Sequence, residues 1–414
     1  MSEQLMDRVV IVGAGQAAIA CATALRRGGW KGPITMIGRE VHLPYERPPL
    51  SKKVLLGVVS GDQIALTSED ALAELDVTFQ CATVAAIDRE RRTVTLADGG
   101  EVRYDHLVLA TGSAARALPA SLPGAEGPGV HVIRTLDDAL TVAQLLDQVR
   151  DVAVVGGGFI GVEVAAALAL ADRQVCLLEA VDHLLARVAP PRLGRWVRDY
   201  LTRLGVDVQT GTGLAQIERE GERILAVHDT AGVRHAADLV IVGIGGVAEV
   251  EYARDAGLEV DGAIVVDDEL VTSDPRVFAI GDCALQRRAD GSIHRYESVQ
   301  TAQDQGRYVA RRLLGTHRGP YAEVPWFWSD IGPIKIQMAG RIDQATDIVV
   351  RGDEASESFS LFGYCDGAFV GMAAINRTLD YMAARMFLNS GANLPASAAA
   401  DESADLRALA RAAR

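Results

Sequence analysis

RVVIVGAGQAA, residues 8–18, is an apolar run that ends in glycine and then passes into residues that favour a helix. This order predicts a buried parallel strand, a tight turn and the start of a helix. Gly13 permits the turn, Gly15 lets the backbone approach a pyrophosphate, and the small Ala18 lets the helix pack closely on the strand. The phosphates would bind the free N–H groups at the positive end of the helix. By itself the pattern also fits an ordinary strand–turn–helix with a small-residue contact.

The same pattern recurs 143 residues later in VAVVGGGFIG, residues 152–161. The aligned pairs are Gly156 with Gly13, Gly158 with Gly15, and Gly161 with Ala18. Each copy then leads to a second strand and an acid. Glu40 lies 27 residues after Gly13 and Glu179 lies 23 residues after Gly156, near the ~20 residues typical of an acid that binds ribose hydroxyls. Because two accidental copies are much less expected than one, the sequence predicts two dinucleotide sites.

The composition is that of a globular enzyme with an acidic surface. The 414 residues exceed what one core usually supports, so we expect two or three domains. Forty-one Lys and Arg against 55 Asp and Glu give a net charge of −14, which argues against nucleic acid or an anionic membrane as a partner. The N-terminal apolar run of about six residues is shorter than a signal-peptide core, and no apolar segment reaches the ~18 residues of a membrane span. We therefore expect a cytoplasmic protein.

The five cysteines are far apart in the sequence. Cys21, Cys81, Cys176, Cys283 and Cys365 form no CxxC, CxxxxC or Cys/His cluster, and scattered core residues are the better interpretation. We expect no disulfide relay, no iron–sulfur cluster, and no zinc or other metal site in the chain.

Changes in composition and in the pattern of predicted strands and helices along the chain predict its domains. A Gly- and Pro-rich stretch at 119–129 precedes the second glycine turn, and TSDPRVFAIGDCA at 272–284 returns to the pattern of the first domain. From about residue 325 short alternating strands and a helix take over. The fold class is therefore α/β, with two Rossmann-like dinucleotide-binding domains plus a C-terminal α+β domain. The predicted parts are a discontinuous first domain at 1–118 and 248–324, a second at 119–247, the C-terminal domain at 325–400, and a tail at 401–414 that could form a short helix or stay mobile.

A set of short motifs runs in order along the whole chain. They are GAGQAA at Gly13, YERPPLSK at Tyr45, ATG at Ala110, GGGFIGVE at Gly156, LLEA at Leu177, FAIGD at Phe278, RYESVQTA at Arg295 and WFWSD at Trp326. Together they resemble the FAD-dependent, NADH-using ferredoxin reductases of bacterial oxygenase systems, a group related to rubredoxin reductase and apoptosis-inducing factor. The resemblance implies a glutathione-reductase-like architecture, with FAD on the first fold and NADH on the second.

The resemblance also implies the residues of both cofactor sites. For FAD they are Gly13, Gly15, Ala18, Glu40, Arg47, Lys52, Ala110, Thr111, Gly112, Arg116, Asp282, Ser298, Val299, Gln300 and Trp328. For NADH they are Gly156, Gly158, Phe159, Ile160, Gly161, Glu163, Glu179 and Gly245. Glu179 is followed by Ala180 and Val181 instead of arginine, so NADH is expected over NADPH. On residues alone, Asp282 could also be a helix N-cap.

Lys52, Glu163 and Trp328 are the expected catalytic residues. By resemblance, Lys52 and Glu163 form an ion pair beside the flavin, where a cation would favour the anionic reduced ring. Trp328 is expected to cover the flavin or its nicotinamide contact. Without the resemblance, a helix-surface glutamate and a buried core tryptophan would be the preferred interpretations.

The expected electron acceptor is a [2Fe–2S] ferredoxin that feeds a Rieske dioxygenase or a cytochrome P450. Between residues 287 and 318 seven arginines stand among three acids, a net +4 in an acidic chain. The residues that could steer an acidic carrier are Arg287, Arg288, Arg307, Arg311 and Arg312, although a solvated Arg-rich helix explains them about as well. Alternatives on the same fold are a rubredoxin reductase, an NADH oxidase, or an NADH-sensing flavoprotein like apoptosis-inducing factor. The scattered cysteines nearly exclude a thiol–disulfide reductase.

Overall fold

The structure is a computed structural model that describes residues 7–413. These residues group into two units, the first comprising 7–46, 61–114 and 246–323 and the second 47–60, 115–245 and 324–413. The grouping differs from the four-part division above, whose bounds at 118, 247, 324 and 400 stay a prediction. Strands and helices are numbered here along the whole chain.

The first unit is centred on a parallel sheet. Its strands are β1 (Val9–Val12), β2 (Ile34–Gly38), β3 (Val77–Cys81), β4 (Val84–Asp88), β5 (Thr93–Leu96), β6 (Glu101–Arg103), β7 (His106–Leu109), β8 (Ser113–Ala115), β17 (Gly246–Ala248), β18 (Ile264–Val266), β19 (Val277–Ala279), β20 (Ala284–Arg287) and β21 (Ile293–His294), and its helices are α1 (Gln16–Arg27), α2 (Glu69–Glu74), α6 (Glu251–Asp255) and α7 (Val299–Leu313). The parallel sheet has the order β19-β7-β1-β2-β3. β1 pairs with a strand on each edge, and all four of its side chains are buried, as expected for the central strand of a parallel sheet that is covered on both faces.

Helices α1 and α7 of this unit pack closely together. A Cβ on Gly306 in α7 would lie 2.5 Å from the carbonyl oxygen of Ala17 in α1, so the absence of a side chain sets their separation. Helix α7 therefore supports α1, the helix that follows the first glycine turn. Residues 84–103 of the same unit form the small antiparallel sheet β4-β5-β6.

The second unit also contains a five-stranded parallel sheet. Its strands are β9 (Val130–Val132), β10 (Asp151–Val155), β11 (Gln174–Glu179), β12 (Asp207–Thr210), β13 (Leu214–Glu220), β14 (Arg223–Asp229), β15 (Arg234–Ala236), β16 (Leu239–Val242), β22 (Trp326–Ile331), β23 (Ile334–Gly340), β24 (Asp347–Asp353), β25 (Ser358–Cys365) and β26 (Ala368–Ile375), and its helices are α3 (Leu136–Leu145), α4 (Phe159–Leu170), α5 (Pro191–Arg203), α8 (Thr378–Ser390), α9 (Ala396–Ala400) and α10 (Leu406–Ala412). The parallel sheet has the order β12-β11-β10-β16-β9. The glycine strand is again central, so the predicted pair of Rossmann-like sheets is confirmed.

The C-terminal part of this unit is an α+β layer. The antiparallel sheet β22-β23-β26-β25-β24 carries α8 on its buried face, where Phe362 and Phe387 are almost fully buried in one core. Gly332 and Pro333 form the two-residue turn between β22 and β23. Gly332 has φ +57°, which this tight hairpin turn requires. The predicted C-terminal α+β domain is thus confirmed.

The last described residues pack on this core. Leu406 and Ala410 of α10 are buried with the α8 residues, so of the two interpretations left open for the tail, the helix is the one found. Arg351, which is 4% exposed, donates to the carbonyl oxygens of Asp401, Glu402 (3.2 Å) and Ala404 (3.0 Å). One buried guanidinium therefore holds the segment that leads into α10.

Among residues 7–413, no helix combines the length and the apolar character that crossing a membrane would need.

Candidate functional site

Two strands end at glycines in the left-handed region. Gly13, after β1, has φ +115° and Gly156, after β10, has φ +104°. A Cβ on Gly13 would lie 2.2 Å from the carbonyl oxygen of Ala110, and one on Gly156 would lie 2.5 Å from that of Gly243. Each carbonyl directly follows the neighbouring strand, β7 or β16. Backbone conformation and close packing therefore both require glycine at these positions.

The middle glycines of the two turns face open space. Among the described residues, a Cβ on Gly15 or on Gly158 would meet nothing within 4 Å, so packing does not explain glycine there. Each is the N-cap of its helix, and neither α1 nor α4 as described has a side-chain cap or an acid in its first turn. By contrast, Thr135 and Ser298 cap α3 and α7 with their hydroxyls. The first N–H groups of α1 and α4 thus remain available to an anion, which fits the pyrophosphates of FAD and NADH.

The third position differs between the two turns. A Cβ on Gly161 would lie 1.9 Å from the carbonyl oxygen of Gly156, so α4 tolerates no side chain there. Ala18 keeps its methyl group and is fully buried. The departure from glycine in the first copy is therefore accommodated by the packing of α1.

The two acids have different surroundings. Glu179, at the end of β11, accepts hydrogen bonds from the backbone N–H groups of Gly157 (2.6 Å) and Val181 (3.0 Å), so its carboxylate is held at the glycine turn. Glu40 lies two residues beyond β2, and its carboxylate accepts a hydrogen bond from the Tyr45 hydroxyl. Both glutamates are partly exposed, which fits acceptors for ribose hydroxyls.

The carboxyl ends of β7 and β19 bring more of the expected FAD residues to the edge of the sheet that carries Gly13. Residues 110–112 follow β7, and Asp282 follows the adjacent β19. The Ser113 hydroxyl donates to Oδ2 of Asp282 at 3.2 Å. Asp282 lies inside the 3-10 turn Gly281–Cys283, so the alternative of a helix N-cap is not found.

The start of α7 holds a buried polar group. The Ser298 hydroxyl accepts a hydrogen bond from the Thr301 N–H at 3.1 Å, and Val299 is the first helical residue. Gln300 is 6% exposed, and its Oε1 has no hydrogen-bond partner among the described residues. Since an unsatisfied buried acceptor costs roughly 1–3 kcal/mol, this oxygen fits a ligand that brings a donor, as the N–H of a flavin ring would.

Glu163 is the only charged residue of α4, and it is 5% exposed. Its Oε2 lies 2.8 Å from Nζ of Lys52 and accepts a hydrogen bond from the Ser51 hydroxyl at 2.5 Å. Its Oε1 accepts one from the Ser329 hydroxyl at 2.5 Å, and Lys52 also donates to the carbonyl oxygen of Pro48 at 3.0 Å. The expected ion pair is confirmed, and a helix-surface glutamate is not found. The place of the pair beside a flavin stays a prediction.

Ser51 and Ser329 are site residues that the sequence patterns do not identify. Ser51 ends the 3-10 turn Pro48–Ser51, and Ser329 lies on β22, 166 residues after Glu163. The helix around Glu163 did carry a signal, because a lone charge in an otherwise apolar helix is expected to be buried and paired. Nothing local marks Ser329, since its contact depends on how β22 packs on α4.

Trp328 lies on the opposite face of β22 from these contacts. Ser329 and Phe327 both face α4, where Ser329 donates to Glu163 and the rings of Phe327 and Phe159 lie 4.4 Å apart. Because side chains alternate along a strand, Trp328 points away from α4, and it is partly buried. The structure does not bring Trp328 onto the face that carries Glu163, and its contact with a cofactor stays a prediction.

The remaining expected residues belong to the second unit. Gly245 has φ +100°, and its carbonyl oxygen accepts a hydrogen bond from the Arg116 N–H at 2.9 Å. Ile160, next to the Gly158 turn, is 41% exposed. Arg47 donates from its guanidinium to a carbonyl oxygen of the same unit at 2.5 Å. Their roles in binding cofactor stay predictions.

No cysteine supplies thiol chemistry at the glycine turns in the part of the chain described. All five cysteines are free. Burial raises the pKa of Cys21 in α1 to about 12, and burial also raises the pKa of Cys283 beside Asp282. Because the thiolate is the reactive form, burial disfavours reaction at these two thiols.

Comparison with known proteins agrees with this geometry. The family model for pyridine nucleotide-disulphide oxidoreductases matches residues 7–306, and that for the reductase C-terminal domain matches residues 326–410. Rhodocoxin reductase of Rhodococcus erythropolis is 39% identical over 406 residues, which cover 97% of this chain and 94% of the relative.

Two solved structures are similar over nearly the whole chain. The ferredoxin reductase for the CYP199A2 system from Rhodopseudomonas palustris superposes with a TM-score of 0.95 at 38% identity, covering 99% of this chain and 100% of the other. Putidaredoxin reductase, in its covalent complex with putidaredoxin, gives 0.93 at 35% identity, covering 98% and 99%. The chain therefore belongs to the pyridine nucleotide-disulphide oxidoreductase family, among the ferredoxin reductases of bacterial oxygenase systems.

Proposed function

We propose that this protein is an FAD-dependent NADH:ferredoxin reductase of an oxygenase system. FAD, when bound, accepts a hydride from NADH and releases the two electrons one at a time, as a [2Fe–2S] acceptor requires. The observation that carries the proposal is the duplicated glycine turn, with an open, uncapped helix N-terminus in each unit. The relatives named rhodocoxin reductase and putidaredoxin reductase support the choice of acceptor.

Residues of the first unit are proposed to hold FAD. The N–H groups at the start of α1 would bind the pyrophosphate, and Glu40 would accept a ribose hydroxyl of the adenosine half. Asp282 would bind the ribityl hydroxyls. Gln300 Oε1, buried and without a donor among the described residues, would accept the flavin N–H.

In the second unit, the Glu163 network is proposed to fix a cation. Ser51, Ser329 and Lys52 all donate to the Glu163 carboxylate. The two serine hydroxyls hold the carboxylate in place, and the carboxylate in turn holds the ammonium group of Lys52. A lysine held in one place stabilises negative charge that develops on a bound ring without the need to reorganise. Lys52 is thus proposed to be catalytic and Glu163 to position it.

Glu179 is proposed to select NADH. Its carboxylate is held at the second glycine turn by the N–H of Gly157, where it accepts ribose hydroxyls and repels a 2′-phosphate. Substituting Glu179 by Gln keeps an acceptor but removes the charge. We expect the ratio of kcat/KM for NADH to that for NADPH to fall in Glu179→Gln, while a ratio equal to that of the wild type would remove Glu179 from cofactor selection.

Anaerobic stopped-flow absorbance tests the proposal as a whole. The protein is mixed with NADH or NADPH and then with an excess of a [2Fe–2S] ferredoxin. Rapid flavin bleaching by NADH, slow bleaching by NADPH and rapid one-electron reoxidation are expected. Rapid bleaching without transfer to ferredoxin would favour a rubredoxin or oxygen as the acceptor, and slow bleaching into a long-lived complex would favour a sensing flavoprotein.

The expected cytoplasmic location stays a prediction.

The arginine-rich segment offers a narrower docking proposal than the sequence suggested. Arg287 pairs with Glu259 at 2.6 Å, and Arg312 pairs with Glu269 at 2.9 Å, so acids from outside the segment neutralise part of its charge. Arg307 pairs with Asp304 within the segment at 3.0 Å, and Arg288 donates to the carbonyl oxygen of Tyr321 at 3.5 Å.

Arg311 is exposed, and it has no ion-pair partner among the described residues. We propose that Arg311 contributes steering charge for an acidic ferredoxin, together with Arg318, which is likewise exposed. Arg311→Glu should raise KM for ferredoxin several-fold at low salt and much less at high salt. Arg254→Glu, which reverses another exposed arginine of the same unit, is the control. Equal effects of the two variants would mean that only net charge matters.

A further inference from the structure

Three side chains that are distant in the sequence meet in the second unit. Cys176 on β11, Asp207 at the start of β12 and His235 on β15 have ligand atoms that all lie within 4.8 Å of one another. Cys176 and Asp207 are register partners in adjacent parallel strands, so their side chains lie on the same face of the sheet. His235 reaches that face from the antiparallel sheet β13-β14-β15.

A fourth residue decides which nitrogen of His235 faces the cluster. Nε2 lies 3.0 Å from Oδ2 of Asp229, and Oδ1 of Asp229 accepts the backbone N–H groups of Ala231 (2.9 Å) and Val233 (2.8 Å). Because Oδ1 of Asp229 is already occupied by two N–H bonds, its Oδ2 is the acceptor placed for Nε2, and we assign the N–H of a neutral imidazole to that nitrogen. Nδ1 then directs its lone pair towards Oδ2 of Asp207, 3.6 Å away.

Two acceptors that face each other repel unless a proton or a cation lies between them. The thiol of Cys176 is the third group at the same point, and together the cluster offers sulfur, imidazole nitrogen and carboxylate oxygen, which are the ligands of Zn²⁺ in proteins. A carboxylate on the far nitrogen of a ligating histidine is the usual orienting group of zinc sites. We propose that Cys176, Asp207 and His235 bind a divalent cation of the Zn²⁺ class, with Asp229 as a positioning residue.

Exposure provides a path for the ion. The Asp207 side chain is 56% exposed and that of His235 is 8% exposed, so the site opens to solvent on the aspartate side only. Oδ1 of Asp207 accepts a hydrogen bond from Gln209 at 2.6 Å, which leaves Oδ2 for the ion. Three protein ligands leave a fourth position for water. The proposal departs from the sequence expectation of no metal site, which rested on distances along the chain.

Metal binding by the tag-free, chelator-treated holoenzyme tests the site. Titration with Zn²⁺ against a chromophoric chelator should reveal one tight equivalent. Titration with Co²⁺ should give the d–d bands of a low-symmetry tetrahedral site, at longer wavelengths than oxidised flavin absorbs. Cys176→Ala should abolish both signals, and Asp229→Asn should weaken Zn²⁺ binding roughly 10–100-fold.

Two further variants protect the test against a folding artefact. Asp207→Asn changes an exposed side chain and should also weaken binding, with flavin content and far-UV circular dichroism unchanged. Cys365→Ser removes a partly exposed thiol of the same unit and should bind Zn²⁺ like the wild type. Absence of a tight equivalent in the wild type, or unchanged affinity in both Cys176→Ala and Asp207→Asn, would overturn the proposal.

Discussion

Replacing Glu163 by leucine should strongly destabilise the second unit, because it removes a buried acceptor and leaves three donors behind. The Glu163 side chain is 6% exposed and that of Lys52 is 20% exposed. Removing one partner of a buried ion pair costs about 3–5 kcal/mol, and the partial exposure of Lys52 places this case at the lower end because water can reach the ammonium. Each serine also loses a hydrogen bond to a charged acceptor, worth about 1.5–3 kcal/mol, but these losses do not add fully within one network. We expect a loss of about 3–4 kcal/mol in the free energy of unfolding.

The double variant Lys52→Met with Glu163→Leu separates the pair from its parts. Replacing both charges by apolar side chains leaves no unpaired ion, so much of the loss should be recovered. The double variant should be about 1–3 kcal/mol more stable than the sum of the two single changes implies. A purely additive result would mean that the 2.8 Å contact between the two residues contributes no coupling energy.

Urea unfolding followed by far-UV circular dichroism and flavin fluorescence measures these changes. With a slope of about 3 kcal/mol per molar urea, the midpoint for Glu163→Leu should fall by about 1 M. A chain of several domains need not unfold in one step, so the comparison uses the transition that moves. Glu357→Gln is the matched control in the same unit, because its pair with Arg203 at 3.0 Å is 39% and 52% exposed and should contribute less than about 1 kcal/mol. If Glu163→Leu shifts the midpoint no further than this control, the reasoning is refuted.

Three further outcomes are expected. Gly15→Ala should leave the stability of the apoprotein unchanged but raise the Kd for FAD, since the added methyl group enters open space. Gly13→Ala should impair folding, because its methyl group would lie 2.2 Å from a carbonyl oxygen. Equal effects of the two variants on apoprotein stability would contradict the distinction. Arg351→Met should lower the free energy of unfolding by about 3 kcal/mol or more and should speed backbone hydrogen exchange between residues 399 and 410. Exchange as slow as in the wild type there would show that the guanidinium does not hold this segment. A thiol reagent should label the exposed Cys81 in the native protein but not Cys21, whose burial raises its pKa to about 12, and mass spectrometry that found native Cys21 labelled would disprove this assignment of reactivity.

The two glycine turns could be predicted because their cause is local. Gly13 and Gly156 each end a buried strand, and the left-handed conformation that each adopts is one that only glycine enters at little cost. The repeat then predicted a second sheet of the same kind, and four strands of each sheet share one order, β3-β2-β1-β7 and β12-β11-β10-β16. The fifth strand differs, because β19 follows the other four along the chain whereas β9 precedes them. Local conformation and periodicity were therefore sufficient for the fold of both dinucleotide-binding regions.

Contacts between distant segments could not be predicted in this way. The hydroxyl of Ser329 meets Glu163 only because β22 packs on α4, and no pattern near Ser329 signals that contact. Counting charges along residues 287–318 overestimated the positive patch for the same reason, since Glu259 and Glu269 neutralise two of its arginines from outside. Which distant residue a side chain contacts depends on tertiary packing, and a short stretch of sequence does not reveal that packing.

Stability alone does not explain the Lys52–Glu163 pair. Apolar side chains of similar volume would fill the same space with little loss of stability. In this structure, however, two serine hydroxyls donate to the Glu163 carboxylate, and Lys52 donates to a carbonyl oxygen. What apolar residues cannot do is hold a positive charge at a fixed point, ready for negative charge that develops nearby. If that is the role of the pair, the double variant described above should fold and retain FAD but be reduced by NADH much more slowly than the wild type. A folded double variant reduced at the rate of the wild type would instead assign the pair a structural role only.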